Sequence, residues 1–203
     1  MKIIAIGRNY IDHAKELNNP VPSEPVFFLM PETALIRKNQ AFFYPDFSKD
    51  IHYEVELVIK INKLGKNIAE KFAHRYYDEV GVGIDFTARD VQTELKKKGL
   101  PWEKAKAFDG AAPLGTFLNK SEFTSTNNIK FSLEKNGETV QLGNSKDMIF
   151  SFDAIIAYVS KYFTLKIGDL IYTGTPAGVG PVVIGDKLKA KIGDKELLEV
   201  QIK

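Results

Sequence analysis

Residues 52–62 show the clearest strand pattern in the chain, because apolar side chains fall on every second position and so share one face. These apolar residues are Tyr53, Val55, Leu57, Ile59 and Ile61. Shorter apolar runs predict further strands at residues 2–6, 26–30 and 79–86. The tail from residue 169 is also strand-rich, with turn residues at 174–176, 185–186 and 193–194.

Helical segments are fewer and begin at polar residues that can cap a helix. Asn9 and Asp12, three residues apart, predict an N-cap pair and a short helix that ends at 18–20. Thr87 and Asp90 have the spacing of a capping box, and Ser151 is a candidate N-cap. The longer predicted helices cover residues 68–77, 87–98 and 151–163.

The order of these elements predicts one α+β domain over residues 1–203. Strands and helices mix without a regular βαβ rhythm, and Asn136-Gly137 predicts a hairpin between strands at 130–135 and 138–142. No repeat, low-complexity segment or shift in composition marks a boundary, and 203 residues suit a single domain.

Composition narrows the classes of function. The chain has no cysteine, which excludes disulfides, thiolate nucleophiles, zinc–thiolate sites and iron–sulfur clusters. A net charge of +2 argues against nucleic acid as a partner. The longest unbroken apolar run, Ala154 to Val159, is far too short to span a membrane, and residues 1–10 show no signal-peptide pattern. We therefore expect a cytoplasmic protein with no membrane association.

Two carboxylates on the main strand are the first candidate site. Glu54 and Glu56 share the face opposite the apolar one, with Cα atoms about 6.6 Å apart. Like charges this close repel unless a cation or a proton lies between them. A solvent-facing polar strand edge is the alternative explanation for these two residues.

Asp85 favours the ligand interpretation. It shares a predicted strand face with Gly81 and Gly83, and glycine within a strand often marks the close approach of a ligand or another backbone. Three hard oxygen ligands on two strands suit Mg²⁺ or Mn²⁺. The alternative is an acidic residue that simply ends a strand before a helix.

Histidine supplies a second candidate. His13 lies three residues before Glu16 on the short N-terminal helix, so a carboxylate can orient its ring as a general base. An ordinary surface His–Glu pair is the alternative. His52 and His74 have no such partner in sequence and are interpreted as structural.

The helix after Asp85 and the glycine-rich segment 174–180 are less specific. Gln92 has the spacing to reach back to a ligand at Asp85, whereas Arg89 and Lys96 are expected on a solvated or salt-bridged face. Segment 174–180 lacks the Lys-Ser/Thr of a P-loop and fails the pattern of a dinucleotide site. A tight loop whose threonine and backbone N–H groups face a small anion stays open.

Seven motifs in order along the chain resemble the fumarylacetoacetate hydrolase (FAH) family, closest to its short single-domain acylpyruvase and oxaloacetate decarboxylase branch. They are GRNYIDHAKE at 7–16, SEPVFF at 23–28, YEVEL at 53–57, DFTARDVQ at 85–92, KKKGLPWEKAKAFD at 96–109, MIFSF at 148–152 and GDLIYTGTPAGVGPV at 168–182. The resemblance implies a mixed β-roll with a few flanking helices, usually assembled as a homodimer.

The resemblance also implies roles for individual residues. Metal ligands for Mg²⁺ or Mn²⁺ fall on Glu54, Glu56 and Asp85. The catalytic positions are His13 and Glu16, on a lid segment at about residues 8–22, together with Lys106. Contacts to a bound 2-oxo acid fall on Arg8, Gln92 and Thr175.

One position departs from the family pattern. Met30 stands where close relatives often carry lysine, so the motifs leave the substrate open. The resemblance implies a metal-dependent hydrolase that cleaves the C3–C4 bond of acylpyruvate-type 2,4-dioxo acids through a pyruvate enolate. Decarboxylation of oxaloacetate passes through the same enolate.

Two alternatives stay open at this point. One is an isomerase or decarboxylase of diacids such as 2-hydroxyhepta-2,4-diene-1,7-dioate, from the same family. The other is a non-catalytic protein that binds a divalent ion for assembly.

Overall fold

The computed structural model describes residues 1–16, 20–37 and 40–203. In chain order the described strands are β1 (Ile3–Gly7), β2 (Val26–Met30), β3 (Leu35–Arg37), β4 (Ile51–Tyr53), β5 (Val55–Ile61), β6 (Tyr77–Ile84), β7 (Thr87–Ala88), β8 (Ala112–Leu114), β9 (Leu118–Asn119), β10 (Lys130–Lys135), β11 (Glu138–Asn144), β12 (Leu170–Tyr172), β13 (Gly180–Pro181), β14 (Lys187–Ile192) and β15 (Lys195–Gln201).

Helices in the described residues are short. They are α1 (Ile11–Glu16), α2 (Glu70–Ala73), α3 (Arg89–Lys97), α4 (Glu103–Lys106) and α5 (Phe152–Tyr162), with 3₁₀ turns at Glu32–Ala34, Lys120–Glu122 and Ser145–Asp147. None of the described helices is long and apolar enough to cross a membrane.

Three sheets hold the strands. An eight-stranded sheet runs in the order β2-β1-β12-β5-β6-β8-β3, with β9 paired to β6, and it contains both parallel and antiparallel neighbours. Four strands form a second sheet, β11-β10-β14-β15, and three short ones form a third, β13-β4-β7. Mixed, curled sheets with few helices confirm the predicted α+β roll.

The strand predicted at 52–62 is present but interrupted. It divides into β4 and β5 at Glu54, and both faces of β5 are covered by other elements up to Ile59. Val55 and Leu57 are fully buried on the expected apolar face, while Glu56 and Val58 are equally buried on the other. A strand covered on both faces has no solvent-facing polar edge near its start, so the solvent-exposed explanation for the two glutamates is wrong.

Two local predictions are confirmed. The Ser151 hydroxyl accepts a hydrogen bond from the backbone N–H of Ala154 at 3.2 Å and caps α5. Asn136 and Gly137 both have positive φ, 55° and 89°, and connect β10 to β11 in the hairpin. This backbone twist favours Asn-Gly in two-residue hairpin loops.

Other capping predictions are wrong, because tertiary partners take the polar side chains. Thr87 lies in β7, and α3 begins after Ala88 without a side-chain cap. The Asp90 carboxylate instead accepts hydrogen bonds from the Ser48 hydroxyl and the backbone N–H of Lys49. The helix predicted at 68–77 is reduced to α2, since Tyr77 already begins β6.

Asn9 ties three parts of the fold together instead of capping a helix. Its side-chain amide donates to the carbonyl oxygens of Phe150 and Thr173, and its amide oxygen accepts from the N–H of Phe150. The helix is predicted to end at residues 18–20. Residues 17–19 lie outside the described part of the chain, so most of this predicted end does too.

The glycines of β6 make room for aromatic rings. A Cβ atom on Gly83 would lie 2.6 Å from a ring carbon of Tyr172 and 2.9 Å from the carbonyl oxygen of Pro113. One on Gly81 would lie 3.0 Å from the Phe117 ring. The prediction that these glycines clear space for a ligand is therefore wrong, and they serve the packing of the sheet.

Gly83→Ala should therefore destabilise the fold. The added methyl group overlaps the Tyr172 ring and a fixed carbonyl, and overpacking of this kind costs about 1–3 kcal/mol of unfolding free energy. Urea denaturation of the two proteins measures the difference. Gly7→Ala is the matched control, because its methyl would meet only an ordinary contact at 3.5 Å. Equal stability of Gly83→Ala and wild type would contradict this packing role.

Candidate active site

Strand pairing brings the three predicted metal ligands together. Glu54 lies between β4 and β5, Glu56 lies in β5 opposite Gly83, and Asp85 directly follows β6. The backbone N–H of Asp85 donates to the carbonyl oxygen of Glu54 at 2.8 Å, which joins the two strand ends. One carboxylate oxygen from each residue lies within 4.8 Å of the others, and all three residues are buried. We call these residues the carboxylate trio.

Two cations pack directly against the trio. The Lys106 ammonium at the end of α4 lies 2.8 Å from Glu54 Oε2 and 2.6 Å from Asp85 Oδ2. Arg89, the first residue of α3, donates to Glu54 Oε1 at 2.5 Å and to Gln92 Oε1 at 2.8 Å. The expected salt bridge of Arg89 is confirmed, and it places Arg89 in the site and not on a solvated helix face.

These neighbours separate the proton affinities of the trio. Burial favours the neutral form of Glu54, but the Lys106 and Arg89 charges hold its pKa below the usual range. Burial and the nearby Asp85 carboxylate raise the pKa of Glu56 well above its ordinary value. Burial also raises the pKa of Asp85 to about 7, with the Lys106 charge opposing the shift and that of Glu54 adding to it.

One oxygen of the trio is fully buried and has no protein partner. Asp85 Oδ1 is buried and accepts no hydrogen bond, whereas Glu56 Oε2 accepts from the backbone N–H of Gly174 at 2.7 Å. A buried acceptor without a donor is costly, and hard carboxylate oxygens are the ligands that Mg²⁺ and Mn²⁺ prefer. The residues present therefore fit a divalent cation.

The predicted His–Glu pair is formed and is anchored to the glycine-rich loop. His13 Nδ1 lies 3.1 Å from Glu16 Oε2, and Glu16 Oε1 accepts from the backbone N–H of Gly178 at 3.0 Å. His13 is buried, which argues against an ordinary surface pair. With the proton on Nδ1, Glu16 fixes the ring and leaves Nε2 as the basic nitrogen.

A single pocket collects nearly all predicted site residues. Its free volume is about 30 Å³. Glu16 does not line the pocket and acts through His13. The predicted residues that line it are Arg8, His13, Glu54, Glu56, Asp85, Gln92, Lys106 and Thr175.

Six further lining residues were not singled out for the site from the sequence, and two of them, Ile6 and Gly7, belong to β1. Arg89 and Lys96 add cations, while Phe28 and Trp102 add aromatic walls. The sequence signal that could have found Arg89 and Lys96 is their i, i+3, i+7 spacing with Gln92. This spacing places all three side chains on one helix face, so they can line the same pocket.

Gln141 is a buried residue that the sequence did not single out. Its amide oxygen accepts from the backbone N–H of Val55 at 2.9 Å, between the two glutamates. Its amide nitrogen donates to Thr175 Oγ1 at 3.0 Å. Gln141 therefore holds the Thr175 loop against the start of β5. No local motif marks this role, because its partners are distant in sequence.

Two residues discussed above lie away from the pocket. His52 does have a partner, since its Nε2 lies 2.9 Å from Asp50 Oδ1, and burial together with the Arg89 charge lowers its pKa. Met30 is buried among apolar residues of β1, β8 and β12 and does not line the pocket.

The fold and the site define the class of protein. The family model described as Fumarylacetoacetate (FAA) hydrolase C-terminal matches residues 2–203, and the chain belongs to this family. Oxaloacetate tautomerase YcgM of Escherichia coli strain K12 is 46% identical over 188 residues, which are 92% of this chain and 86% of that protein.

Solved structures share the fold over the whole chain. Fumarylpyruvate hydrolase from Pseudomonas aeruginosa, crystallised with Mn²⁺ and pyruvate, has a TM-score of 0.93 and 35% identity, covering 100% of this chain and 89% of that one. 2-Hydroxyhepta-2,4-diene-1,7-dioate isomerase from Mycobacterium marinum has a TM-score of 0.86 and 31% identity, covering 99% and 73%. The recognition of the family and the predicted roll are confirmed.

Affinity for Mg²⁺ should rise with pH between 6 and 8. A proton on Asp85 competes with the cation, and it leaves as the pH passes the pKa of about 7. Below pH 7 the affinity should fall by up to about tenfold per pH unit for each proton displaced. Titration calorimetry at pH 6, 7 and 8 measures this slope. Asp85→Asn should bind weakly at every pH, and a pH-independent wild-type affinity would contradict a proton on the trio.

Proposed function

We propose that this protein catalyses keto–enol tautomerisation of oxaloacetate with Mg²⁺ or Mn²⁺ as cofactor. The observation that carries the proposal is the position of His13, which lines the same pocket as the carboxylate trio and Lys106. The 46% identity to an oxaloacetate tautomerase supports the choice of substrate.

Tautomerisation moves one proton between C3 and the C2 oxygen of a 2-oxo acid. His13, oriented by Glu16, takes the proton from C3, and the electron pair left behind forms the C2=C3 double bond. The carbonyl pair moves onto the C2 oxygen, where the Lys106 ammonium stabilises the negative charge. Return of the proton from the His13 imidazolium to that oxygen completes the enol and restores the base. When bound by the carboxylate trio, the divalent cation supplies a Lewis acid for the 2-oxo and carboxylate oxygens.

The remaining predicted contacts position the substrate in this proposal. Gln92 and Thr175 line the pocket, and their side chains are held by Arg89 and Gln141 respectively. Arg8 lines it from the end of β1. Fixed polar groups around a small acid hold C3 against the base, which lowers the entropy cost of reaching the transition state.

A second candidate is hydrolysis of the C3–C4 bond in acylpyruvates, and the structural match to fumarylpyruvate hydrolase favours it. In that reaction His13 would activate a water molecule that attacks the C4 carbonyl, and the departing pyruvate enolate would face Lys106. Oxaloacetate decarboxylation yields the same enolate without a water nucleophile. Tautomerisation needs only a proton transfer next to the 2-oxo group. Unlike hydrolysis and decarboxylation, it does not require the site to break a carbon–carbon bond.

His13→Ala should slow tautomerisation by about 10²–10⁴-fold, the usual contribution of a positioned base. Oxalate affinity in the presence of Mg²⁺ should change little, since neither oxalate nor the ion needs the imidazole in order to be held at the carboxylate trio. Decay of enol-oxaloacetate absorbance in the ultraviolet measures the rate. Glu16→Gln should show a smaller loss of the same kind.

His74→Ala is the matched control, because His74 is exposed and lies outside the pocket. If His13→Ala keeps the wild-type rate, or loses oxalate as severely as it loses rate, the general-base role is wrong.

Substrate choice separates the family alternatives. Acetylpyruvate, fumarylpyruvate, oxaloacetate and a dienoic diacid should be compared with Mg²⁺ and with Mn²⁺. Release of pyruvate from an acylpyruvate would show hydrolysis, and a shifted double bond in the diacid would show isomerisation. A non-catalytic ion-binding protein would turn over none of them.

The homodimer belongs to the same proposal and rests on membership of the family. Analytical ultracentrifugation of the purified chain tests it. A single species of twice the chain mass supports the dimer, and a monomer at all concentrations contradicts it.

A further inference from the structure

A second pair of cations lines the pocket without forming an ion pair with the carboxylate trio. The Arg8 guanidinium carbon is 5.8 Å from the centre of the Trp102 ring, and Lys96 Nζ is 5.5 Å from the same centre. Both residues and the ring line the pocket that contains the trio. We call Arg8, Lys96 and Trp102 the outer cation site.

The inner and outer cations differ in their partners. Lys106 and Arg89 form short ion pairs with Glu54 or Asp85. Among the described residues, no carboxylate forms an ion pair with Arg8 or with Lys96. The trio therefore has its own countercharge, while the outer cation site has none.

Two unpaired cations at one aromatic ring repel each other. Burial, followed by the charges of Arg8 and Arg89, lowers the pKa of Lys96 to about 8. Arg8 also has a φ of +61°, in the left-handed region that non-glycine residues rarely adopt and that often marks functional sites. The repulsion between these two half-buried cations falls when an anion binds close to both.

From this geometry we propose that the outer cation site binds the second carboxylate of the substrate and so selects 2-oxo dicarboxylates over 2-oxo monocarboxylates. The inner end of the pocket takes the 2-oxo acid group, as proposed above, and this inference rests on that function. Arg8 and Lys96 then act on the opposite end of the same small molecule. Lys96 is a specificity-determining residue in this arrangement.

The charges of the complete site agree with a doubly charged ligand. The trio contributes three negative charges when ionised, and Arg8, Arg89, Lys96 and Lys106 contribute four positive ones. A divalent cation at the trio would raise the surplus to three positive charges. A dicarboxylate offsets two of these, with one carboxylate at each end of the pocket, whereas a monocarboxylate leaves the outer pair unpaired.

Binding of unreactive ligands tests the inference independently of turnover. N-Oxalylglycine carries an oxalyl group and a second carboxylate, and N-methyloxamate carries the oxalyl group alone. In wild type with Mg²⁺, calorimetry should show tighter binding of N-oxalylglycine. Lys96→Met should reduce N-oxalylglycine affinity by about 10- to 100-fold, the range for a lost charge-assisted hydrogen bond, and change N-methyloxamate affinity by less than about threefold.

Two further variants make the test specific. Lys96→Arg should retain the preference for the second carboxylate, because it keeps the charge. Lys97→Met is the matched control, since Lys97 is the exposed neighbour on α3 and pairs with Glu94. It should leave both affinities unchanged.

Two outcomes would overturn the inference. One is equal wild-type affinity for the two ligands, and the other is a Lys96→Met variant that keeps the preference or weakens both ligands equally. Wild type that discriminates between them but fails to tautomerise oxaloacetate would instead overturn the proposed function and leave the outer cation site standing.

Discussion

Burial of three carboxylates at one point is the constraint on which the rest of this structure depends. Each group loses hydration, and the like charges repel at distances within 4.8 Å. Lys106 and Arg89 offset part of this cost, and each comes from the end or the start of a short helix. The start of α3 and the end of α4 must therefore meet at the carboxylate trio, and this requirement constrains how the two helices lie on the sheet.

The positive charges of Lys106 and Arg89 do not fully offset the three carboxylates, and the remaining negative charge can attract a metal cation. Asp85 Oδ1 has no donor, and burial together with neighbouring carboxylates raises the pKa values of Asp85 and Glu56, which the Lys106 charge only partly opposes. A fully neutralised cluster would have no affinity left for a cation. The carboxylate trio, with one buried oxygen that lacks a partner, and the outer cation site line the same pocket, and the proposed ion and charged ligand would occupy it together.

Long-range hydrogen bonds connect the loops around the pocket to this centre. Glu16 binds the backbone of the glycine-rich loop, and Gln141 binds both that loop and β5. Asn9 connects the end of β1 to the loops at 150 and 173. These amide and carboxylate side chains are satisfied by distant backbone groups, so His13, the proposed base, is positioned by tertiary contacts and not by its short helix alone.

Much of the site could be read from the sequence, for physical reasons that are local. The two-residue period placed Glu54 and Glu56 on one side of a strand, the three-residue spacing paired His13 with Glu16, and ordered family motifs supplied Lys106 and Thr175. Asn136-Gly137 and Ser151 predicted a hairpin and a helix start because turn and cap preferences depend on a few adjacent residues.

Only the tertiary structure decided which polar groups are buried and what they meet. Periodicity gives the face of a strand but not what covers it, so Glu54 and Glu56 were compatible with solvent until the fold enclosed them. The roles of Arg89, Lys96 and Gln141 depend on partners brought together from distant segments. Gly83 shows the same limit, because its neighbour Tyr172 is distant in sequence, and only the packed sheet reveals that the missing side chain makes room for that ring.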